Sequence, residues 1–204
     1  MRPETSATAS CPVGGAGGGG APGGGGLLGG GGIKGGEATV GRLLHKTLGF
    51  DVSGTIVAVG SAVTRLNVGD YVWADLGEFG ILPPKTIVEM GAFAEYAVAT
   101  TTSITHLPDG VSFEDAAALP VSGLTAFEAV HTHGGVQPGQ RVLVTGASGG
   151  VGGYAVQLAA AAGADVTGVA SGVKADFVRS LGAGRSIDYG TTDVTDLPDR
   201  YDLI

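Results

Sequence analysis

The sequence predicts an α/β chain: a disordered Gly-rich N-terminus, a β-rich unit, and a parallel sheet wound with helices. Three observations carry that prediction. Residues 14–36 hold 16 Gly in 23 positions. Short β-branched runs punctuated by Gly and Asp follow from Gly49. From Val142 onward, apolar runs alternate with helical periodicity, the order expected of βαβ units and a right-handed parallel sheet.

Each element follows from its residues. Residues 1–36 are mostly Gly, Ala, Pro, Ser and Thr, and ordering each costs about 1–2 kcal/mol of backbone entropy with little apolar burial to offset it. Disorder is expected there. Val52, Ile56, Val57 and Val59 form a strand closed by Gly60-Ser61. Val68-Gly69-Asp70 is a turn into Tyr71-Val72-Trp73-Ala74. Phe93 to Val98 and Ile104-Thr105-His106 are further strands, giving Greek-key or barrel character. Ser112 with Asp115 three residues on is a variant capping box, opening a helix to Leu119. Pro120 restarts the chain, and Leu124, Ala126, Phe127 and Val130 mark the apolar positions of the next helix. It ends at Gly134-Gly135, before the turn Gln137-Pro138-Gly139-Gln140.

Val142-Leu143-Val144 is a strand buried on both faces. Val151, Tyr154, Ala155, Leu158, Ala159 and Ala162 recur at helical spacing. Val166 to Ala170 is a strand, Phe177, Val178 and Leu181 mark a helix stopped by Gly182, and Ser186 to Tyr189 is a third strand. Tyr201-Asp202-Leu203-Ile204 begins a fourth, within which the chain stops, so truncation is expected. The expected divisions are 1–47 for the head, 48–118 for the β-rich unit and 119–204 for the parallel sheet.

Composition excludes several classes. A net charge of −8, from 19 acids and 11 bases, opposes a broad basic face for nucleic acid. The longest apolar stretches fall far short of the roughly 20 residues of a membrane-spanning helix. A single Cys, Cys11, precludes an internal disulfide framework or a Cys-rich zinc cluster. Glu4 and the absence of an apolar h-region oppose a secretory signal, and a reducing intracellular compartment is expected.

The sharpest chemical signal is Thr145-Gly146-Ala147-Ser148-Gly149-Gly150-Val151-Gly152-Gly153. It follows a buried strand and opens an amphipathic helix. Glycines there let the backbone turn tightly and approach a pyrophosphate, which the free N–H groups of the helix N-terminus then face. The next strand chooses the nucleotide. NAD-selecting sites present Asp or Glu about 20 residues on, to bind the ribose 2′-hydroxyl. This strand ends Val169-Ala170-Ser171-Gly172-Val173-Lys174, with no carboxylate between Asp165 and Asp176. A hydroxyl and a cation suit a 2′-phosphate, hence NADPH.

From about Gly49 to Ile204 the chain resembles the zinc-independent quinone oxidoreductases of the medium-chain dehydrogenase/reductase superfamily, which include enoyl reductases. The resemblance rests on Gly49-Phe50-Asp51-Val52-Ser53-Gly54 with Val57-Ala58-Val59-Gly60, Val68-Gly69-Asp70, Ala118-Leu119-Pro120-Val121-Ser122-Gly123-Leu124-Thr125-Ala126, the glycine loop, and Arg179-Ser180-Leu181-Gly182-Ala183 with Ile187-Asp188-Tyr189. It implies a partial GroES-like β-domain followed by a partial Rossmann doubly wound sheet. By that comparison Gly149, Gly150, Val151 and Gly152 match the pyrophosphate loop, Ser171, Lys174 and Tyr189 the 2′-phosphate site, and Thr125 the position near the nicotinamide. Plastid-envelope and mitochondrial branches of the family are similar, so a plastid or mitochondrion is open beside the cytoplasm.

Zinc-dependent relatives look like Gly-His-Glu where this chain has Gly49-Phe50-Asp51, and Phe50 cannot ligate a metal. Thr132 separates His131 from His133, whose side chains diverge on a helix. His45 and His106 have no ligand partners nearby in sequence. The initial strands of the family, which line the substrate pocket, have no matching segment, because the Gly-rich head occupies that place. The second half of the Rossmann sheet, which carries the family's dimer edge, is also absent. No general acid is named.

The expected activity, by resemblance, is NADPH-dependent and metal-independent reduction of quinones or α,β-unsaturated carbonyls. The partner is that small molecule, with a homodimer if the full sheet exists. A non-catalytic nucleotide-binding fragment is one alternative. A short-chain dehydrogenase is another, opposed by the long β-rich region before the loop and by the lack of any Tyr with Lys four positions later.

Overall fold

The structure is a computed structural model that describes residues 6–10, 49–76, 92–198 and 200–204. It divides into two compact units, Met1–Val121 and Ser122–Ile204. Most of the Gly-rich head, with Cys11 and His45, lies outside the described residues.

The first unit is built on a five-stranded antiparallel sheet in the order β4-β1-β2-β3-β5. Its strands are β1 (Ser6–Ser10), β2 (Asp51–Val59), β3 (Tyr71–Asp75), β4 (Tyr96–Thr100) and β5 (Ile104–His106). β1 corrects the sequence reading, which assigned those residues to the disordered head. Thr8 is in register with Ala58 on one side and Val98 on the other. Two backbone ladders order a segment that has no large apolar residue to announce itself. Tight pairing of β2 with β3 follows from the turn at Val68-Gly69, where Gly69 takes φ 98°. Val52, Ile56, Leu66, Val72, Ala74 and Ile104 are buried together as the core. Ser112 caps α1 (Phe113–Ala117), its hydroxyl accepting the Asp115 N–H at 3.1 Å. The helix stops two residues short of the expected Leu119.

The second unit begins at Ser122, within α2 (Pro120–Phe127), which widens into a π-helical turn over Glu128–His133. Ala126 and Val130 are buried as expected, while Leu124 and Phe127 are about half exposed. A parallel sheet in the order β6-β7-β8 follows, with β6 (Arg141–Thr145), β7 (Asp165–Ala170) and β8 (Arg185–Asp188). The crossovers are α3 (Gly150–Ala161) and α4 (Ala175–Ser180). Val156, Val166 and Val178 are buried between these helices and the sheet. Each such side chain contributes about 1.5–3 kcal/mol of apolar transfer energy. Of the expected fourth strand the structure forms a single parallel bridge, Val142 to Leu203. It lies on the side of β6 opposite β7, so the winding of the sheet reverses at β6.

Candidate functional site

That reversal matters because ligands of open α/β sheets bind outside the carboxyl ends of the strands where the strand order switches. β6 runs out at Thr145 into the glycine loop. Gly146 turns the chain with φ 64°, a left-handed conformation that a side chain would strain. Its carbonyl then accepts the Gly149 N–H at 2.9 Å, and the Ala147 N–H is tied to the Val169 carbonyl at the same distance. The loop is thus pinned to both β6 and β7.

α3 starts immediately after, with Gly149 as an extended N-cap that offers no side chain. The Gly153 N–H, bonded to the Gly149 carbonyl at 2.8 Å, is the first donor used inside the helix. The N–H groups of Gly150, Val151 and Gly152 precede it and have no intrahelical acceptor. No acidic residue stands in the first turn. The helix dipole therefore adds to these donors without a competing carboxylate, the arrangement that binds a phosphate group. A Cβ on Gly152 would collide with the Gly146 carbonyl, and one on Gly150 would come within 2.9 Å of the Ser122 hydroxyl. The space over the turn is thus kept for backbone, and the four predicted residues Gly149, Gly150, Val151 and Gly152 lie at one place.

Ser171, Lys174 and Tyr189 follow the ends of the neighbouring strands β7 and β8. Ser171 follows β7 and caps the 3₁₀ turn Gly172–Lys174, its carbonyl accepting the Lys174 N–H at 2.8 Å. The Tyr189 N–H bonds the Ala170 carbonyl at 3.2 Å, which holds Tyr189 beside the end of β7 with its ring largely exposed. Thr125 sits exposed on α2, one helical turn beyond Ser122 and on the same face.

Two side chains were missed. Ser122 packs against the start of α3, yet sequence reading passes over it as one small residue in a helix. Asp188 sits in β8 opposite Ala170, and its carboxylate reaches Gly172. Only strand pairing brings it there, although the Asp-Tyr pair itself was visible.

Metal chemistry has little to draw on in the described residues, which contain no group of three His, Cys, Asp or Glu able to hold an ion. The His131 ring lies tilted against Phe127, with ring centroids 4.9 Å apart, and His133 stands 3.8 Å from Glu128. His106 Nε2 is 3.1 Å from Asp70, whose carboxyl is held below its ordinary value by the Asn67 backbone N–H first and then by His106. Asp51, which stands where zinc-dependent relatives carry Glu, accepts the Val121 N–H at 2.7 Å. Burial nonetheless pushes its carboxyl above the usual range, with Asp75 adding to the rise.

A five-stranded antiparallel unit followed by a nucleotide-type parallel sheet defines the class of medium-chain dehydrogenases/reductases. Residues 32–109 match the alcohol dehydrogenase GroES-like domain. An Arabidopsis thaliana NADPH-dependent alkenal/one oxidoreductase, chloroplastic, is 39% identical over 76% of this chain and 40% of its own. The solved quinone oxidoreductase of Coxiella burnetii has a TM-score of 0.71 at 33% identity, covering 82% of this chain and 50% of that one. The Escherichia coli quinone oxidoreductase, solved with NADPH, has a TM-score of 0.64 at 30% identity over 72% of this chain and 42% of that one. Over these shared residues the chain is similar to quinone oxidoreductases and alkenal/one oxidoreductases of the medium-chain dehydrogenase/reductase type. It spans about 40% of the length of the curated relatives it matches. Among the described residues, no helix is long and apolar enough to cross a membrane.

Proposed function

We propose that this chain binds NADPH across the β6–α3 turn and serves in the reduction of a quinone or an α,β-unsaturated carbonyl. The carrying observation is the glycine cradle: three forward N–H groups at α3, no carboxylate in its first turn, and a Gly152 whose Cβ would meet the Gly146 carbonyl. A dinucleotide pyrophosphate suits a glycine-rich, donor-lined turn of this kind. The nicotinamide ring, when bound, supplies the hydride.

The chain's own residues then have separate tasks. Gly150, Val151 and Gly152 orient the pyrophosphate through their N–H groups. Ser171 and Lys174 hold the 2′-phosphate, Ser171 by donating its hydroxyl hydrogen and Lys174 by charge. Tyr189 flanks the same group from the end of β8. Thr125 is the residue proposed nearest the nicotinamide end. The named activities of the relatives support the substrate class, since alkenals, enones and quinones all offer an electron-poor carbon to hydride.

Fluorescence titration of the purified chain with NADPH and NADH tests the cofactor, and a quinone and enone panel tests the reaction. Saturable NADPH binding with turnover of one substrate class supports the reading. Binding without turnover reduces the chain to its nucleotide site, and no binding removes the proposal.

A further inference from the structure

The end of β7 holds a carboxylate that does not belong to β7. Asp188 is the last residue of β8 and the register partner of Ala170. Paired residues of neighbouring parallel strands point to the same face of a sheet. Ala170 is buried in the cluster formed with α3 and α4, so Asp188 leaves the sheet on the face that also carries the start of α3. From there its side chain turns toward Gly172. A Cβ built on Gly172 would lie 2.5 Å from Asp188 Oδ2 and 3.1 Å from its carboxyl carbon. The Asp188 carboxylate thus occupies the volume that a side chain at position 172 would fill. Its other oxygen accepts the Gly190 N–H at 2.9 Å, which fixes the group in place.

Position 172 lies about 20 residues beyond the glycine loop, just past the second strand, where NAD-selecting folds carry an acid for the ribose 2′-hydroxyl. Here the local sequence supplies only glycine, and the acid arrives from the third strand. We infer that Asp188 is a specificity-determining residue for the adenosine ribose, an inference that rests on the nucleotide reading above. Its carboxylate accepts a hydrogen bond from a 2′-hydroxyl and repels a 2′-phosphate, while Ser171 and Lys174 favour the phosphate. The two sets oppose one another across Gly172. The chain therefore takes both NADH and NADPH, with a preference for NADPH smaller than Ser171 and Lys174 would impose alone.

The test is the ratio of dissociation constants for NADH and NADPH, read by fluorescence titration of wild-type protein and Asp188→Asn. Asn retains an oxygen for the Gly190 N–H and removes the charge. The expected result is weaker NADH binding and tighter NADPH binding, moving the ratio about tenfold toward NADPH. Should Asp188→Asn lose its thermal transition, Gly172→Ala decides by the same ratio, because its methyl group displaces the carboxylate from this spot. A ratio that moves less than about twofold, with both cofactors still bound, overturns this inference and leaves the nucleotide site intact. Failure of the wild-type chain to bind either cofactor overturns both.

Discussion

The Gly146 carbonyl occupies the space that a Cβ on Gly152 would need. That Cβ would also lie 2.7 Å from the Gly146 carbonyl carbon, and both neighbours are backbone that cannot rotate away. Gly152→Ala must therefore open the turn between β6 and α3. The expected cost is about 1–3 kcal/mol of stability, read by thermal or urea denaturation, with loss of NADPH binding. Gly149→Ala is the contrast. Its Cβ would meet the same carbonyl at 3.3 Å in ordinary backbone conformation, so it should bind NADPH with a far smaller loss.

Lys174 and Ser171 should separate the two cofactors. A charge-assisted contact to phosphate contributes about 1.5–3 kcal/mol. Lys174→Ala is expected to weaken NADPH roughly 10- to 100-fold and to leave NADH within about twofold. Ser171→Ala should do the same to a lesser degree. Titration of each variant with both cofactors checks this, and equal losses for the two would remove these residues from the 2′-phosphate site.

Asp51 should make stability depend on pH. Burial raises its folded-state value above that of the unfolded chain, so the fold favours the protonated acid. The contribution to stability is fully present below the unfolded value near 3.8 and is lost as pH rises through the raised folded value. Asp51→Asn, which keeps an acceptor for the Val121 N–H, is expected to flatten that dependence and to match or exceed wild type at neutral pH. Asp51→Ala removes the acceptor and should cost about 1 kcal/mol. Denaturant midpoints measured from acid to neutral pH read both effects.

Gly168 is a packing position in the middle of β7. A Cβ there would overlap the Val178 side chain of α4 and lie 3.0 Å from the Ala147 methyl. Gly168→Val should force α4 off the sheet, at about 1–3 kcal/mol or more. A lowered denaturation midpoint is the expected reading, and an unchanged one would show that α4 is more loosely seated than its buried Val178 indicates.

Much of this architecture was legible in the chain. The parallel strands announced themselves as apolar runs such as Val142-Leu143-Val144, and α3 as a helical stripe ending in Ala159 and Ala162. The cap at Ser112 and the turn at Gly69 were also readable, because the residues that make them are neighbours in sequence. β1 was not readable. Ser6 to Ser10 hold no large apolar group, and their order comes from pairing with β2 and β4. The apolar face of α2 was half right, since Ala126 is buried and Leu124 is about half exposed.

The same division runs through the candidate site. Gly149, Gly150, Val151 and Gly152 could be found by spacing alone, because a tight strand-to-helix turn is a local event with a local glycine requirement. Ser122 and Asp188 could not. Ser122 lies 28 residues before Gly150, and Asp188 lies 16 after Gly172. One comes near through the packing of α2 and the other through the register of β8 against β7. By itself the sequence determined which glycines turn the chain from β6 into α3. Tertiary structure decided which side chains approach, Ser122 at Gly150 and Asp188 at Gly172, because register and packing join residues that no short-range pattern connects.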